Sequence, residues 1–244
     1  MGGLKVGVSG ASGRMGTLTC EAVESVADLD LVARYAPGHG SDDARALSGC
    51  DVIVDFSRPD VVMDNLAEWR ELDAHLVVGT SGFDSPRIEE VRRLWADSSH
   101  NCLIVPNFSL GAVVMMWMAE KASSYFTAAE VIEFHHDRKA DAPSGTAIAT
   151  AERMHPAGAR AVESTESLAG ARGAEVEGVW IHSVRLPGLL AHQEVVLGNQ
   201  GEVLTIRHDT TDRVAFVPGI LIAIRSIGSL PRRVTVGLEP LLGL

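Results

Sequence analysis

The first half of the chain alternates short apolar runs with longer segments whose apolar residues recur at helical spacing. Short apolar runs bounded by turn residues are typical of strands buried on both faces, and their regular alternation with helices indicates a parallel, doubly wound sheet. The predicted strands are Lys5–Ser9, Leu31–Tyr35, Asp51–Phe56, His75–Gly79 and Cys102–Pro106. The predicted helices run to about Val26 after the first strand, from Pro59 through Trp69, and from about Pro86 to Ala96.

The second half of the chain has a different pattern, with two helices and several segments of alternating polarity. A Met-rich apolar helix runs from Gly111 to about Tyr125, which we interpret as core packing. A strand with Val131 and Ile132, a helix from Ser144 to about Met154 and a polar connection from Glu163 to Gly178 follow. The next predicted elements are three antiparallel strands that form a meander, Val179–Leu186, Gln193–Leu197 and Val203–His208. The last is a helix from Arg213 to about Ile227, broken near Pro218. The whole chain is therefore predicted to be α/β: a Rossmann-like doubly wound parallel sheet plus a second α+β domain with a largely antiparallel sheet.

Composition narrows the possible functions. The 244 residues can form one large domain or two modest ones. A formal net charge of −11 argues against nucleic acid as a partner, because its phosphates need concentrated Lys and Arg. Three widely spaced cysteines predict reduced thiols in a cytoplasmic protein and no metal site. No apolar run approaches the roughly 20 residues of a membrane span, so no membrane partner is expected.

A glycine-rich turn joins the first predicted strand to the first helix. Strand, glycine turn and helix together are typical of the phosphate-binding start of a dinucleotide-binding unit. In that interpretation Gly10 allows the tight turn, Gly13 the close approach of a pyrophosphate, and Gly16 close packing of helix on strand. The spacing is GxxGxxG rather than the common GxGxxG, so a turn that binds no ligand stays an alternative.

The connection from Glu133 to Ala147 concentrates side chains suited to acid–base chemistry on an anion. His135 and His136 can exchange protons near neutral pH, and Lys139 offers a point charge to a carboxylate. The helix start at Ser144–Thr146 offers backbone N–H groups without an intrahelical partner. Each feature alone is common in structural roles, such as an N-cap at the serine. Their conjunction in one short connection predicts a reaction site.

This segment, Glu-Phe-His-His-Asp-Arg-Lys-Ala-Asp-Ala-Pro-Ser-Gly-Thr-Ala, resembles the signature of the 4-hydroxy-tetrahydrodipicolinate reductase family, formerly called dihydrodipicolinate reductases. The resemblance runs from Gly7 to the closing segment 237–242. It implies reduction of 4-hydroxy-tetrahydrodipicolinate to tetrahydrodipicolinate with NADPH and/or NADH, in the diaminopimelate route to lysine. It also implies a homotetramer, with residues 1–107 and 217–244 forming the dinucleotide-binding domain and residues 108–216 the domain for substrate binding and oligomerisation.

The same resemblance implies a role for individual residues. His135 is expected to donate the proton, and Lys139 to hold a carboxylate and polarise the electron sink. The residues expected to bind the small dicarboxylate substrate are His136, Ser144, Gly145 and Thr146. Those expected to contact the cofactor, beyond the carboxyl ends of the strands, are Gly10, Ala11, Ser12, Gly13, Arg14, Met15, Phe56, Gly79, Thr80, Ser81, Val105, Pro106, Asn107 and Phe108. Phe56 can equally pack in the core.

The sequence departs from the family pattern after the second strand. The family usually has an acidic residue there for the adenosine ribose, whereas Ala36 and Pro37 follow Arg34 and Tyr35 here. Such an acid repels the 2′-phosphate of NADPH, and an arginine can pair with that phosphate. We therefore expect Arg34 to contact the cofactor and NADPH to be used at least as well as NADH. The alternative is that Arg34 points to solvent.

Two other functions stay open on the residues alone. Another Rossmann-type dehydrogenase of a small acidic substrate would share the glycine turn, but it would not need the His-His-x-x-Lys and Ser-Gly-Thr set. A catalytically silent cofactor-sensing protein would be expected to lack His135 or Lys139, and both are present.

Overall fold

The structure is a computed structural model that describes residues 2–39, 43–157, 165–231 and 233–244. The chain divides into two compact units, one made of Met1–Ser109 with Phe216–Leu244 and the other of Leu110–Ala215. The first unit is thus built from both ends of the chain. Among the described residues, no helix combines the length and the apolar character that crossing a membrane requires.

The first unit contains a parallel sheet, which confirms the predicted α/β architecture. Its strands, within the described part of the chain, are β1 (Leu4–Ser9), β2 (Leu29–Tyr35), β3 (Val52–Asp55), β4 (His75–Val78), β5 (Cys102–Ile104) and β11 (Val234–Val236). They are ordered β11-β5-β4-β3-β1-β2, and all neighbouring pairs are parallel. The sequence pattern does not predict β11, because three residues are too few to show alternation.

The helices of the first unit cover the sheet with their apolar faces. They are α1 (Arg14–Glu24), α2 (Val62–Trp69), α3 (Ser85–Leu94), α6 (Val217–Ser226) and α7 (Glu239–Leu242), with short 3-10 turns at Ala44–Leu47 and Ile227–Ser229. Leu66 and Trp69 of α2 and Val91 of α3 are fully buried in one core with strand residues. Since both faces of the sheet are covered, its strands are nearly continuous apolar runs.

The second unit packs two helices on one face of a mixed sheet. Its elements are α4 (Leu110–Ser123), β6 (Ala128–His135), α5 (Gly145–Arg153), β7 (Ala174–Val176), β8 (Val179–Arg185), β9 (Ala191–Asn199) and β10 (Glu202–Thr210). Met115 and Met116 of α4 are buried against Val131 and Val195, so the Met-rich stretch is core packing. The strand order is β10-β9-β6-β8-β7.

The predicted meander of β8, β9 and β10 is wrong in one respect. β9 and β10 pair antiparallel as predicted, but β6 lies between β8 and β9 and pairs parallel with β8. A connection of residues 186–190 is long enough to pass one strand, because two strand spacings amount to roughly 10 Å and an extended residue spans about 3.3 Å. Alternation of polar and apolar residues is the same whichever strand lies alongside, so it could not exclude this order.

The predicted polar connection also contains a strand. β7 pairs antiparallel with β8 through the two-residue turn Glu177–Gly178. Both residues have positive φ, 50° and 80°, as a tight hairpin turn requires. Glutamate is uncommon at the first turn position, which is why the pattern did not suggest a hairpin. The start of the predicted connection, Glu163, lies with residues 158–164 outside the described residues.

The predicted break near Pro218 and Gly219 does not occur inside the last helix. A 3-10 turn, Arg213–Phe216, precedes α6, and Pro218 lies in the first turn of that helix. Proline is tolerated there because the first N–H groups of a helix have no intrahelical acceptor. Gly219 is required for a different reason, since a Cβ atom on it would lie 2.0 Å from the carbonyl oxygen of Phe108.

Candidate active site

The glycine turn of the first unit is built by close backbone packing. Gly10 has φ +73°, and a Cβ atom on it would lie 2.3 Å from the carbonyl oxygen of Phe56. A Cβ atom on Gly16 would lie 2.1 Å from the carbonyl oxygen of Gly10. Both positions therefore exclude any side chain, and the start of α1 is held against the ends of β1 and β3.

A cleft of about 440 Å³ opens beside this turn. It is lined by Ser9, Gly10, Ser12, Gly13, Tyr35, Ala36, Pro37, His39, Phe56, Ser57, Arg58, Val61 and Asn65. Of the predicted cofactor residues, this lining includes Gly10, Ser12, Gly13 and Phe56. Among the described residues that line it, none is acidic.

The other predicted cofactor residues do not line this cleft. Ala11, Arg14 and Met15 lie in the turn and the first turn of α1, and Gly79, Thr80, Ser81, Val105, Pro106, Asn107 and Phe108 follow β4 and β5. Phe56 links the two groups, because its ring lies 5.4 Å from that of Phe108 and a Cβ on Gly79 would overlap it. Arg34 pairs with Glu24 of α1 at 2.6 Å.

The buried side chain of Asp55, which no sequence motif singled out, holds two strand ends together. The Oδ1 atom of Asp55 accepts hydrogen bonds from the backbone N–H of Ser57 at 2.9 Å, from the Ser57 hydroxyl at 2.7 Å and from the Thr80 hydroxyl at 2.7 Å. Asp55 thereby ties the loop after β3 to the loop after β4. An acidic residue at the end of a buried apolar strand was the available signal.

The first unit fits a dinucleotide cofactor. The start of α1 has no side-chain cap and no acidic residue in its first turn, so its N–H groups are free for a phosphate. The glycine turn allows that phosphate to approach the backbone, and the cleft offers Tyr35 and Phe56 as flat surfaces. The residues suited to hold the cofactor are those of the turn and the cleft.

In the second unit, the reaction-site residues begin on one face of β6. Glu133 and His135 alternate with Phe134, so their side chains lie on the same face as the buried Val131. β8 pairs parallel with β6, with Ser183 opposite Glu133 and Arg185 opposite His135. This register brings an arginine next to a glutamate that is 52 residues away in sequence.

Glu133 forms the centre of a hydrogen-bonded cluster. Its Oε2 atom lies 2.5 Å from His135 Nδ1 and accepts a bond from Arg185 Nη1 at 2.9 Å. Its Oε1 atom accepts bonds from Arg185 Nη2 at 2.8 Å and from the backbone N–H of Ser144 at 3.3 Å. The side chain of Glu133 is fully buried, whereas that of His135 is 16% exposed.

The charge of this cluster follows from those contacts. Burial by itself raises the pKa of Glu133, but hydrogen bonds from His135, Arg185 and Ser183 lower it to about 2. Glu133 is therefore a carboxylate at any working pH, and its oxygens act only as acceptors. Neither Glu133 nor Arg185 was among the predicted site residues, since their pairing depends on strand order.

The loop after β6 carries the other predicted side chains. Lys139 Nζ pairs with both carboxylate oxygens of Asp141 at 2.8 Å, and this contact lowers the pKa of Asp141. Arg185 Nη2 also donates to the Asp141 carbonyl oxygen at 2.7 Å, which anchors the loop to β8. His136 has a buried Nδ1 atom without a hydrogen-bond partner among the described residues.

The start of α5 is capped by a side chain and has an open backbone. Ser144 is the N-cap, and its hydroxyl accepts the N–H of Ala147 at 3.2 Å. Among the described residues, no atom outside the chain neighbours and the helix's own backbone lies within 4 Å of where a Cβ on Gly145 would be, so the backbone of the first turn is open. Thr146 follows in that turn. The predicted substrate residues thus lie in one segment with His135, and the predicted cofactor residues lie in the first unit.

Comparison with known proteins covers nearly the whole chain. The family model described as dihydrodipicolinate reductase, N-terminus, matches residues 4–108, and the one described as dihydrodipicolinate reductase, C-terminus, matches residues 111–242. The chain is 52% identical to the 4-hydroxy-tetrahydrodipicolinate reductase of Thermobifida fusca over 99% of its own length and 100% of that protein. It is 52% identical to the enzyme of that name from Cutibacterium acnes, over 99% of each chain. A dipicolinate-bound dihydrodipicolinate reductase from Paenisporosarcina sp. TG-14 superimposes with a TM-score of 0.85 and 32% identity, covering 98% of this chain and 99% of that one.

Proposed function

The chain belongs to the dihydrodipicolinate reductase family, and on that premise we propose that it reduces 4-hydroxy-tetrahydrodipicolinate to tetrahydrodipicolinate with NADPH or NADH. The observation that carries the proposal is the cluster in the second unit, where a buried Glu133 contacts both His135 and the start of α5. This arrangement supports the proposal, because His135 lies in the same segment as a helix start whose backbone N–H groups suit an anion. A dicarboxylate substrate that must take up a proton needs both a proton donor and a site for its carboxylates.

In the first unit, the glycine turn and the cleft beside it would hold the dinucleotide. The reduced nicotinamide supplies the hydride when it is bound. Residues of the turn offer backbone N–H groups to the diphosphate, and the loops tied by Asp55 keep Phe56 and Thr80 in fixed positions. Rigid support of the loops reduces the entropy that binding would otherwise cost.

In the second unit, each side chain has a proposed part in the reaction. The 4-hydroxyl group would leave as water, which gives an α,β-unsaturated imine that accepts the hydride. His135 would then donate a proton from Nε2 to the adjacent carbon of the resulting enamine. Lys139 would exchange its contact with Asp141 for one with a substrate carboxylate and stabilise the developing negative charge. The N–H groups of Gly145 and Thr146, with His136, would hold the second carboxylate, and Ser144 would keep the helix start in place.

The test of this function is oxidation of NADPH or NADH by the pure protein, followed by absorbance. The substrate is generated in situ from pyruvate and aspartate semialdehyde. Oxidation that depends on both precursors is expected. If neither cofactor is oxidised, the proposal is refuted. If oxidation occurs only with another small acid as substrate, the protein is instead another Rossmann-type dehydrogenase of a small acidic substrate.

Lys139→Gln is expected to raise KM for the substrate and to lower kcat, each by about tenfold or more, because a desolvated contact to a carboxylate is charge-assisted. The affinity for NADPH should stay within about twofold, since Lys139 lies in the second unit. Steady-state kinetics and NADPH fluorescence titration measure the two effects. Asp141→Asn is the matched variant: it frees Lys139 from its partner and should not raise KM. A large loss of NADPH affinity in Lys139→Gln would assign Lys139 to the cofactor.

We also propose that NADPH is used at least as well as NADH. The support is that no acidic residue is found among the described residues that line the cleft. Arg34→Ala is expected to lower kcat/KM for NADPH more than for NADH, if the arginine leaves Glu24 for the 2′-phosphate. Arg58→Ala is the comparison, because Arg58 lines the cleft and pairs only with the exposed Asp60 in the described contacts. A strong preference for NADH that neither variant changes would contradict this prediction.

Assembly and location complete the proposal. We propose a homotetramer formed through the second unit, because Ile132, Phe134 and Val196 lie on the sheet face opposite α4 and α5 and are only half-buried. A tetrameric mass by light scattering is the expected result.

We also propose a cytoplasmic location, since all three cysteines are free thiols.

A further inference from the structure

The proposed reaction leaves one buried ionised group without a role, the carboxylate of Glu133. Burying a charge is costly unless it is paired, and this one has partners from three elements: His135 on β6, Arg185 on β8 and Ser144 at the start of α5. Arg185 pairs with both carboxylate oxygens, and Ser183 adds a hydrogen bond. The contacts with His135 and Ser144 lead to groups that the proposed reaction uses.

We propose that Glu133 is a positioning residue, whose carboxylate holds the tautomer and orientation of His135 and the position of the first turn of α5 at the same time. This inference rests on the proposed function. It makes the proton donor and the anion-binding helix start a single unit, linked through one side chain.

The contact with Glu133 sets the tautomer of His135. Nδ1 faces an oxygen that can only accept, so Nδ1 carries a hydrogen. Nε2 is then the atom left to hold or release the second proton. Arg185 donates a hydrogen bond to each carboxylate oxygen of Glu133 and so prevents the carboxylate from rotating away from the imidazole.

Glu133 also holds the start of α5 in position. Glu133 Oε1 accepts the backbone N–H of Ser144, and the Ser144 hydroxyl in turn caps α5. A displacement of the carboxylate therefore moves the N–H groups that follow. The charged groups next to the cluster are Arg185 on β8 and Lys139 and Asp141 in the loop, and α5 has no acidic residue in its first turn.

Glu133→Gln tests the inference, because it keeps the shape and removes the charge. We expect kcat to fall by about 10- to 100-fold, a part of what general acid catalysis contributes. The high-pH limb of the kcat profile should move to lower pH, because the substitution removes the negative charge that contacts the proton donor. KM for the substrate should rise, and NADPH affinity should not change. Glu133→Asp, which restores the charge, should return the limb toward its wild-type position.

Glu130→Gln is the matched control. Glu130 lies on the same strand and also bridges an arginine and a histidine, Arg172 at 2.6 Å and His182 at 2.8 Å, but on the opposite face of the sheet. It should lose less thermal stability than Glu133→Gln, because the Glu130 side chain is 35% exposed, and it should not shift the pH profile. A shift in both variants, or a parallel loss of kcat at every pH in Glu133→Gln, would overturn the inference.

A spectroscopic measurement is independent of activity. Long-range ¹H–¹⁵N spectra of histidine-labelled protein report which ring nitrogen carries the hydrogen, and His135→Asn assigns the signal. We expect the Nδ1–H tautomer for His135 in the neutral form of the wild type. An Nε2–H tautomer would refute the inference even in an active reductase, whereas the expected tautomer in a protein without reductase activity would refute only the proposed function.

If Glu133→Gln does not fold, Arg185→Lys replaces it: KM should rise while the tautomer stays, and an unchanged KM would count against the inference.

Discussion

Replacing His135 by alanine is expected to lower kcat by about 100- to 1,000-fold, because proton donation contributes that much when an acid is correctly placed. KM for the substrate should change far less, since the helix start and Lys139 would still hold the carboxylates. The reason lies in the geometry: Nδ1 is held by Glu133, and the side chain is partly exposed, so the other nitrogen can meet a ligand. Steady-state kinetics across a pH range measure the effect.

His136→Ala is the control for this prediction. His136 lies just after the end of β6, and its buried Nδ1 atom has no hydrogen-bond partner within the described structure. We expect it to raise KM while leaving kcat within about threefold, because a contact made equally in the ground and transition states affects binding only. Equal effects of both variants on both parameters would show that the two histidines have been assigned the wrong roles.

Gly10→Ala should abolish measurable binding of NADPH or weaken it by more than about tenfold, which corresponds to only 1.4 kcal/mol. A methyl group there would have to adopt a φ of +73° and would overlap the Phe56 carbonyl oxygen at 2.3 Å. A residue forced into that region costs about 1–3 kcal/mol even without the overlap. The turn must therefore move, and with it the start of α1 and the wall of the cleft. Fluorescence titration with NADPH measures the loss, and urea unfolding measures the change in stability.

Gly49→Ala separates strain from site geometry. Gly49 has φ +83°, close to that of Gly10, but in the described structure no atom beyond its chain neighbours lies within 4 Å of the added Cβ. This variant should lose stability through strain alone and bind NADPH as the wild type does. Retention of NADPH affinity in Gly10→Ala, or an equal loss in both variants, would mean that the glycine turn does not form the cofactor site.

The local motifs were readable from the sequence because each depends on neighbours along the chain. The glycine turn needs positive φ and close packing within a few residues, and Gly10 and Gly16 have the backbone contacts that this requires. The parallel sheet of the first unit was predictable for a similar reason, since strands buried on both faces are continuous apolar runs. The segment from His135 to Ser144 was readable because its spacing sets a strand end, a loop and a helix start.

Contacts between distant segments could not be read in that way. A strand alternates polar and apolar residues with a period of two whichever strand lies beside it, so the pattern gave no register between β6 and β8. The pairing of Glu133 with Arg185 follows only from that register. Arg34 is a further case: its position near the end of β2 suggested a phosphate contact, and only the structure shows that it pairs with Glu24 of α1 at 2.6 Å.

By itself, then, the sequence determined which chemical groups are present and which of them lie close together along the chain: the glycine turn, His135, Lys139 and the helix start. Only the tertiary structure decided which partners these groups have. Strand order brings Arg185 to Glu133, and that pairing orients His135 and supports α5. The physical reason is that hydrogen bonds and ion pairs depend on distances of a few ångströms, and such distances between remote residues are set by the packing of the whole sheet.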